Sequence, residues 1–215
     1  MLTIAWDVDD VLNDLMRSWF EAWRDDQPEC AICYEDLRQN PPDALLGISR
    51  SAYLESLDRF RIERFHELTP TPEVLSWFEA HGGRFRHIAI TAAPLLAASA
   101  SASWVMRHFG RWIRSFHIVP SSRDGEDLPD SNRSKNPRSK GEMLAELGRV
   151  DVLVDDDPNN LVGALAIGVQ GVLAPRPWNA AWIDDGGLES ALAQILSLAD
   201  FVPEPRPAVE NGAIQ

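Results

Sequence analysis

Cysteine is nearly missing from this sequence: Cys30 and Cys33 are the only two in 215 residues. That excludes a disulfide framework and a four-cysteine zinc site. The lone C-x-x-C reads as two reduced thiols packed as small apolar residues, and a redox pair is disfavoured because no strand lies just before it. Histidine is also scarce, and His66, His81, His87, His108 and His117 show no metal-ligand spacing. Positive charge is in deficit: 20 Lys and Arg against 33 Asp and Glu leave a net charge of −13. A surface of that sign argues against a nucleic acid polymer as partner and against docking on an anionic membrane. Long apolar runs are missing too. The longest stretch without a polar side chain, Leu161 to Val169, is far below the roughly 20 residues of a membrane-spanning helix. Met1 leads straight into an apolar strand rather than a basic leader. The expected setting is cytoplasmic, as a monomer or homodimer.

What remains is ordinary globular material, 45% hydrophobic and 25% charged. It is enough for one large domain, or a core with a small accessory domain. Leu2 to Trp6 reads as a buried strand. Leu15, Trp19 and Trp23 repeat at helical spacing over residues 13–26, and Asn13 or Asp14 is placed to cap that helix. Pro28, Pro41, Pro42 and Gly47 break the chain between 27 and 48. A second helix is predicted from Arg50 to His66, with Tyr53, Leu57 and Phe60 on one face. Thr71-Pro72-Glu73 reads as a helix start with a threonine cap and proline at the first position. After Gly82-Gly83, strands and helices alternate: strand 85–90, a helix through Trp104 to Gly110, and strand 115–119. A helix begins at Ser139-x-x-Glu142, followed by strand 150–154, helix 161–167, strand 169–174 and a last helix 188–198. Ser121 to Ser139 is predicted as a long polar loop.

That alternation implies an α/β fold, a three-layer Rossmann-like parallel sheet covered by helices on both faces. The core domain is expected over 1–12 and 70–202. Residues 13–69 interrupt the alternation as a small helical insert, and 203–215 read as a disordered tail.

Seven of the acids fall in two tight clusters, each after an apolar run: Asp7, Asp9, Asp10 and Asp14, then Asp155, Asp156 and Asp157. Like charges crowded at strand ends repel, and a bound cation is the simplest offset. In an open parallel sheet the carboxyl edge of the strands is where ligands bind. Asp7 and Asp9, two apart, can face the same side of an extended chain. Two such carboxylates can divide the labour of phosphate-ester cleavage, one attacking phosphorus and the other handling the proton of the leaving oxygen. Mg2+ takes hard oxygen ligands, and Asp7, the backbone carbonyl of Asp9 and Asp156 are candidate metal ligands. Thr91 offers a hydroxyl, and the amides after it, from Ala92 on, are expected to open the next helix and favour an anion. Lys140, at the first position of a capped helix, aims a cation at the same place. Lys135 is its rival. Arg123, Arg133 and Arg138 read either as a solvated loop or as contacts to a second anionic group. Trp19, Phe20 and Trp23 read either as core of the insert or as a platform for a ring of the ligand.

The segments IAWDVDDVL, HIAITAAP, SKGEML and VLVDDDPNN, in this order and spacing, resemble the four motifs of the haloacid dehalogenase-like phosphohydrolase superfamily. The resemblance covers nearly all of residues 1–175. It implies Asp7 as nucleophile, Asp9 as general acid/base, Thr91 and Lys140 as phosphoryl ligands, and Asp156 with Asp155 beside it completing a magnesium site. Residues 13–69 stand in the place of a cap domain. DVDDVLND, the short helical cap, DDDP and Arg176-Pro177-Trp178-Asn179 look most like the deoxyribonucleotidase and 5'-nucleotidase branch, although Ala92 stands where those enzymes tend to have a serine. The implied activity is a magnesium-dependent phosphomonoesterase working through an aspartyl-phosphate on a small phosphorylated substrate, with a nucleoside monophosphate first. A phosphosugar phosphatase or phosphomutase is the alternative, and a non-catalytic ligand-binding module with this fold is the alternative of another class.

Overall fold

The computed structural model describes residues 1–119, 139–183 and 186–200. The five strands are β1 (Thr3–Asp7), β2 (Arg86–Thr91), β3 (Ile113–Ile118), β4 (Val152–Asp155) and β5 (Gln170–Leu173). They form one parallel sheet in the order β3-β2-β1-β4-β5. The α/β fold class read from the sequence is therefore the observed one. The strand order runs outward from β1 in one direction and resumes on its other side at β4. The reversal falls between β1 and β4, where ligands bind in open parallel sheets.

Period-two alternation sorts the strand side chains onto two faces. Ile4, Trp6, Ala89, Val152, Val154 and Val172 belong to the larger apolar cluster. Their neighbours Ala5, Ile90 and Leu153 belong to a smaller one, packed by Leu144, Leu161 and Ala164. The smaller face is covered by α5 (Lys140–Leu147) and α6 (Pro158–Leu165). These two helices approach so closely that a Cβ on Gly141 would lie 3.1 Å from the Gly163 carbonyl. The larger face receives α3 (Pro72–His81), α4 (Ala98–Phe109) and α7 (Gly187–Asp200).

Local chemistry explains where the boundaries differ from the sequence expectation. β3 begins at Ile113, two residues earlier than its period suggested. α6 begins at Pro158 rather than Leu161, because the Asp157 carboxylate accepts the Asn159 N–H at 2.9 Å. Ser139 caps α5 as expected, accepting the Glu142 N–H at 3.1 Å. Thr71 does not cap α3: it stands at the N-cap position, but its buried hydroxyl makes no hydrogen bond.

The insert holds α1 (Leu15–Asp25) and α2 (Arg50–Arg64). Its two ends meet at an antiparallel bridge between Asn13 and Pro70, backed by the Thr71 N–H donating to the Leu12 carbonyl at 2.9 Å. Asn13 rather than Asp14 supplies the side-chain contact at the start of α1, accepting the Leu15 N–H at 3.0 Å. The insert shares the larger apolar cluster with the sheet: Trp19, Phe20, Tyr53, Leu57 and Phe65 join Trp6, Phe78 and Trp104. Trp19 and Phe20 are buried there, and Trp19 donates to Ser56 Oγ at 3.1 Å. Trp23 packs its ring on both. Of the two readings of these aromatics, the structure selects core. No helix of the described residues is long and apolar enough to cross a membrane.

One buried polar link in this core titrates. Trp6 Nε1 donates to His87 Nδ1 at 3.0 Å, and His87 Nε2 lies 2.9 Å from the Gly82 carbonyl. The ring must be neutral, with its proton on Nε2, to satisfy both. Burial lowers its pKa to about 4. An imidazole held below its unfolded value near 6.5 stabilises the fold fully above that pH, and the contribution is lost as pH falls toward 4. The full loss is about 3 kcal/mol. Denaturant unfolding between pH 7 and pH 4 should show His87→Gln losing less stability than the parent over that window. Equal slopes would contradict the assignment.

Candidate active site

β1 delivers Asp7 to the carboxyl edge of the sheet at the strand reversal. Beyond it, Val8–Leu12 form one wide helical turn in which Asp9 and Asp10 leave helical geometry. Asp10 takes a left-handed φ of 63°, a conformation that aspartate tolerates better than bulky residues. The turn persists because its polar groups are satisfied locally: Asp10 accepts the Met16 N–H at 2.8 Å and donates its own N–H to Asn13 Oδ1 at 3.3 Å. Nothing in hydrophobic periodicity announces this turn.

β4 ends beside β1 and delivers Asp155 and Asp156. Lys140, at the first position of α5, reaches across to both strands. Its Nζ lies 2.7 Å from Asp7 Oδ1 and 2.7 Å from Asp155 Oδ2. The close crossing at Gly141 seats the residue that follows this lysine against Gly163. Asp155 is held further by the Asp157 N–H and by Asn160 Nδ2, each at 3.0 Å from Oδ1. Asp156 accepts from Trp178 Nε1 at 2.8 Å, and its carbonyl from Asn179 Nδ2 at 2.9 Å. Asn179 also donates to the Ala174 carbonyl at 2.8 Å, tying the segment after β5 to the site. Arg176, in the same segment, pairs with Asp14 at 3.1 Å.

β2 ends in Thr91, buried, whose hydroxyl accepts the Ala93 N–H at 3.1 Å. The amides after it do not open a helix at once, as the sequence suggested. Ala92, Ala93 and Pro94 form a short link before a helical turn at Leu95–Ala97 and then α4. Asp9 sits on the insert side of the site, and its Oδ2 accepts from Arg61 Nη2 at 3.0 Å.

A cavity of about 190 Å³ opens at this edge. Asp7, Asp9, Thr91, Ala92, Lys140 and Asp156 all contribute to it, and Asp155 stands behind them on Lys140. The insert supplies the opposing wall through Leu15, Met16, Asn40, Tyr53, Leu57 and Arg61. Lys135, Arg123, Arg133, Arg138 and the 203–215 tail lie outside the described residues.

Burial dominates the electrostatics. It pushes the pKa of Asp7 well above the usual carboxylate range, with Lys140 opposing and Asp155 and Asp156 reinforcing. Burial and neighbouring Asp155 push Asp156 up to about 7, and burial takes Asp10 up to about 8. Burial works against the charge on Lys140, but Asp155 and Asp7 outweigh it and raise its pKa. Oxygens of Asp7, Asp155 and Asp156 lie within 4.8 Å of one another. Three hard anionic donors at that spacing, with the charged forms of Asp7 and Asp156 disfavoured by burial and neighbouring carboxylates, fit a divalent cation such as Mg2+. The Asp9 side chain is not in this trio.

Arg61, and the roles of Trp178 and Asn179 at Asp156, escaped the sequence reading. Arg61 carried a signal: it continues the Tyr53–Leu57 row at the next four-residue step, so the face that buries those two also buries it. Trp178 and Asn179 had no local signal for their contacts with Asp156.

No protein-family model and no curated protein matches the chain. Solved structures do. A conserved haloacid dehalogenase-like protein from Agrobacterium tumefaciens superposes with a TM-score of 0.57 at 15% identity, covering 92% of this chain and 98% of that one. A haloacid dehalogenase-like hydrolase from Streptococcus pneumoniae superposes at 0.55 with 13% identity, covering 94% and 99%. One from Xanthomonas campestris gives 0.51 with 13% identity, covering 92% and 96%. At these identities the likeness is one of fold, and that fold is haloacid dehalogenase-like.

Proposed function

We propose that the chain is a Mg2+-dependent phosphomonoesterase working through an aspartyl-phosphate on Asp7. The observation that carries this reading is the lysine of α5 bridging Asp7 and Asp155, beside Asp156 and Thr91, in one cavity at the strand reversal. Asp7 Oδ1 is occupied by Lys140 and the Val8 N–H. Its other oxygen is the atom to attack phosphorus, displacing the ester oxygen as the Asp7–phosphorus bond forms. Thr91 and the Ala92 amide hold phosphoryl oxygens, and Lys140 offsets their charge while keeping Asp7 oriented. Asp9 gives the leaving oxygen its proton and later takes one from the water that hydrolyses the acyl-phosphate. Mg2+ held by Asp7, the Asp9 carbonyl and Asp156, with Asp155 behind them, would neutralise phosphoryl charge. Residues 13–69 act as a cap over a core of 1–12 and 70–202.

The cavity volume supports a short leaving group. About 190 Å³ is below the range of about 300–1,000 Å³ usual for drug-sized ligands, and Trp19 and Phe20 are buried in the core and do not line the cavity, which leaves Tyr53 as the aromatic ring on its wall. A small phosphate ester is therefore favoured over a nucleoside monophosphate or a sugar phosphate. The test is hydrolysis of p-nitrophenyl phosphate with Mg2+ and its loss on chelation. Phosphate release unaffected by chelator would contradict the metal assignment, and no release at all would reject the activity.

A further inference from the structure

Arg61 is buried in α2, yet its strongest partner lies 52 residues away on the core. It holds Asp9 by one bond, Nη2 to Oδ2 at 3.0 Å. Nε, on the same edge of the guanidinium, is buried without a hydrogen-bond partner, and so is Asp9 Oδ1. The pair is thus a two-pronged fork closed on one prong only. Its other edge is steadied by Asp58, 3.5 Å from Nη1. A buried donor without a partner costs stability, and a planar guanidinium is best satisfied by a carboxylate accepting from both nitrogens of one edge. Arg61 and Asp9 both line the cavity, together with Asp7, Thr91 and Lys140 of the core.

We propose that Arg61 is the binding site for a carboxylate on the leaving-group side of the substrate, so that the substrate class is short phosphorylated hydroxy acids. This rests on the phosphatase reading above. The incoming carboxylate takes both Nε and Nη2, replacing the single bond to Asp9. Asp9 Oδ2 is then freed to face the ester oxygen. An ester without that group leaves Arg61 on Asp9 and the leaving oxygen without its partner. The small cavity selects a carboxylate over a bulkier second phosphate.

The experiment compares kcat/KM, with Mg2+ present, for phosphoglycolate, ethyl phosphate, a two-carbon bisphosphate, a nucleoside monophosphate and p-nitrophenyl phosphate. The parent should favour phosphoglycolate over ethyl phosphate by about 100-fold, the scale of one charge-assisted hydrogen bond gained by the buried Nε. Arg61→Gln should collapse that ratio to within about tenfold, and Arg61→Lys, a point charge without the fork, should fall between. The parent ratio is decisive by itself if a variant does not fold. Turnover of the aryl phosphate with a parent ratio near one overturns the proposal and leaves the phosphatase reading standing. Preference for the bisphosphate or the nucleotide overturns it likewise. No turnover of any ester overturns both.

Discussion

Replacing Asp7 by asparagine should reduce hydrolysis of any phosphate ester by at least about 10⁴-fold, the scale seen when a nucleophile is removed from a covalent mechanism. The same change should leave the fold as stable as before or more so. Asp7 is buried, and burial with two neighbouring carboxylates pushes its pKa well up, so its charge is a burden on the folded state. Asparagine keeps the shape and the acceptor for the Val8 N–H and removes the charge, while Lys140 keeps Asp155 at 2.7 Å. Natural sites are commonly less stable than their neutralised variants, because function requires crowded charge. Three measurements separate the outcomes: turnover of p-nitrophenyl phosphate, Tm with chelator, and the Tm rise on adding fluoroberyllate with Mg2+. The parent should show that rise and the variant should not. Turnover near the parent level would reject the nucleophile assignment, and a variant several degrees less stable would show that the ion pair with Lys140 outweighs the burden of the buried charge.

Lys140→Met should have the opposite signature. Methionine fills a similar volume but leaves Asp7 and Asp155 facing one another without the cation between them. Removing one member of a buried ion pair costs about 3–5 kcal/mol, here with two carboxylates orphaned at once. For a chain of this size that corresponds to a Tm lower by roughly 6–20 °C in chelator. On the proposed metal assignment Mg2+ binds the folded cluster and not the unfolded chain, so it should raise the variant's Tm by mass action, and by more than it raises the parent's. Activity should fall as well, because a phosphoryl oxygen loses its counter-charge. Thermal melts of both proteins with and without Mg2+ decide the matter. An unchanged Tm in chelator would show that Lys140 is not the electrostatic keystone of the cluster.

Much of this site was legible along the chain because its chemistry sits where local patterns end. Asp7, Thr91 and Asp155-Asp156 each follow a short apolar run that reads as a strand, and Lys140 follows a serine that reads as a cap. A parallel sheet brings strand ends to one edge whatever their separation in sequence. The neighbours that tune those groups were not legible in this way. Trp178 and Asn179 reach Asp156 across 22 and 23 residues. The turn at Val8–Leu12 is stabilised by side-chain acceptors rather than by periodicity.

Composition, alternation and the two acidic clusters were sufficient to determine a parallel α/β core carrying carboxylates and a cation at its carboxyl edge. Those features are local, and each is encoded within a few residues. The strand order that sets β4 beside β1, the inward turn of Arg61 onto Asp9 and the size of the cavity were decided only by tertiary structure. They depend on which distant surfaces pack together, and the energy of that packing is shared by residues that no short window of sequence contains.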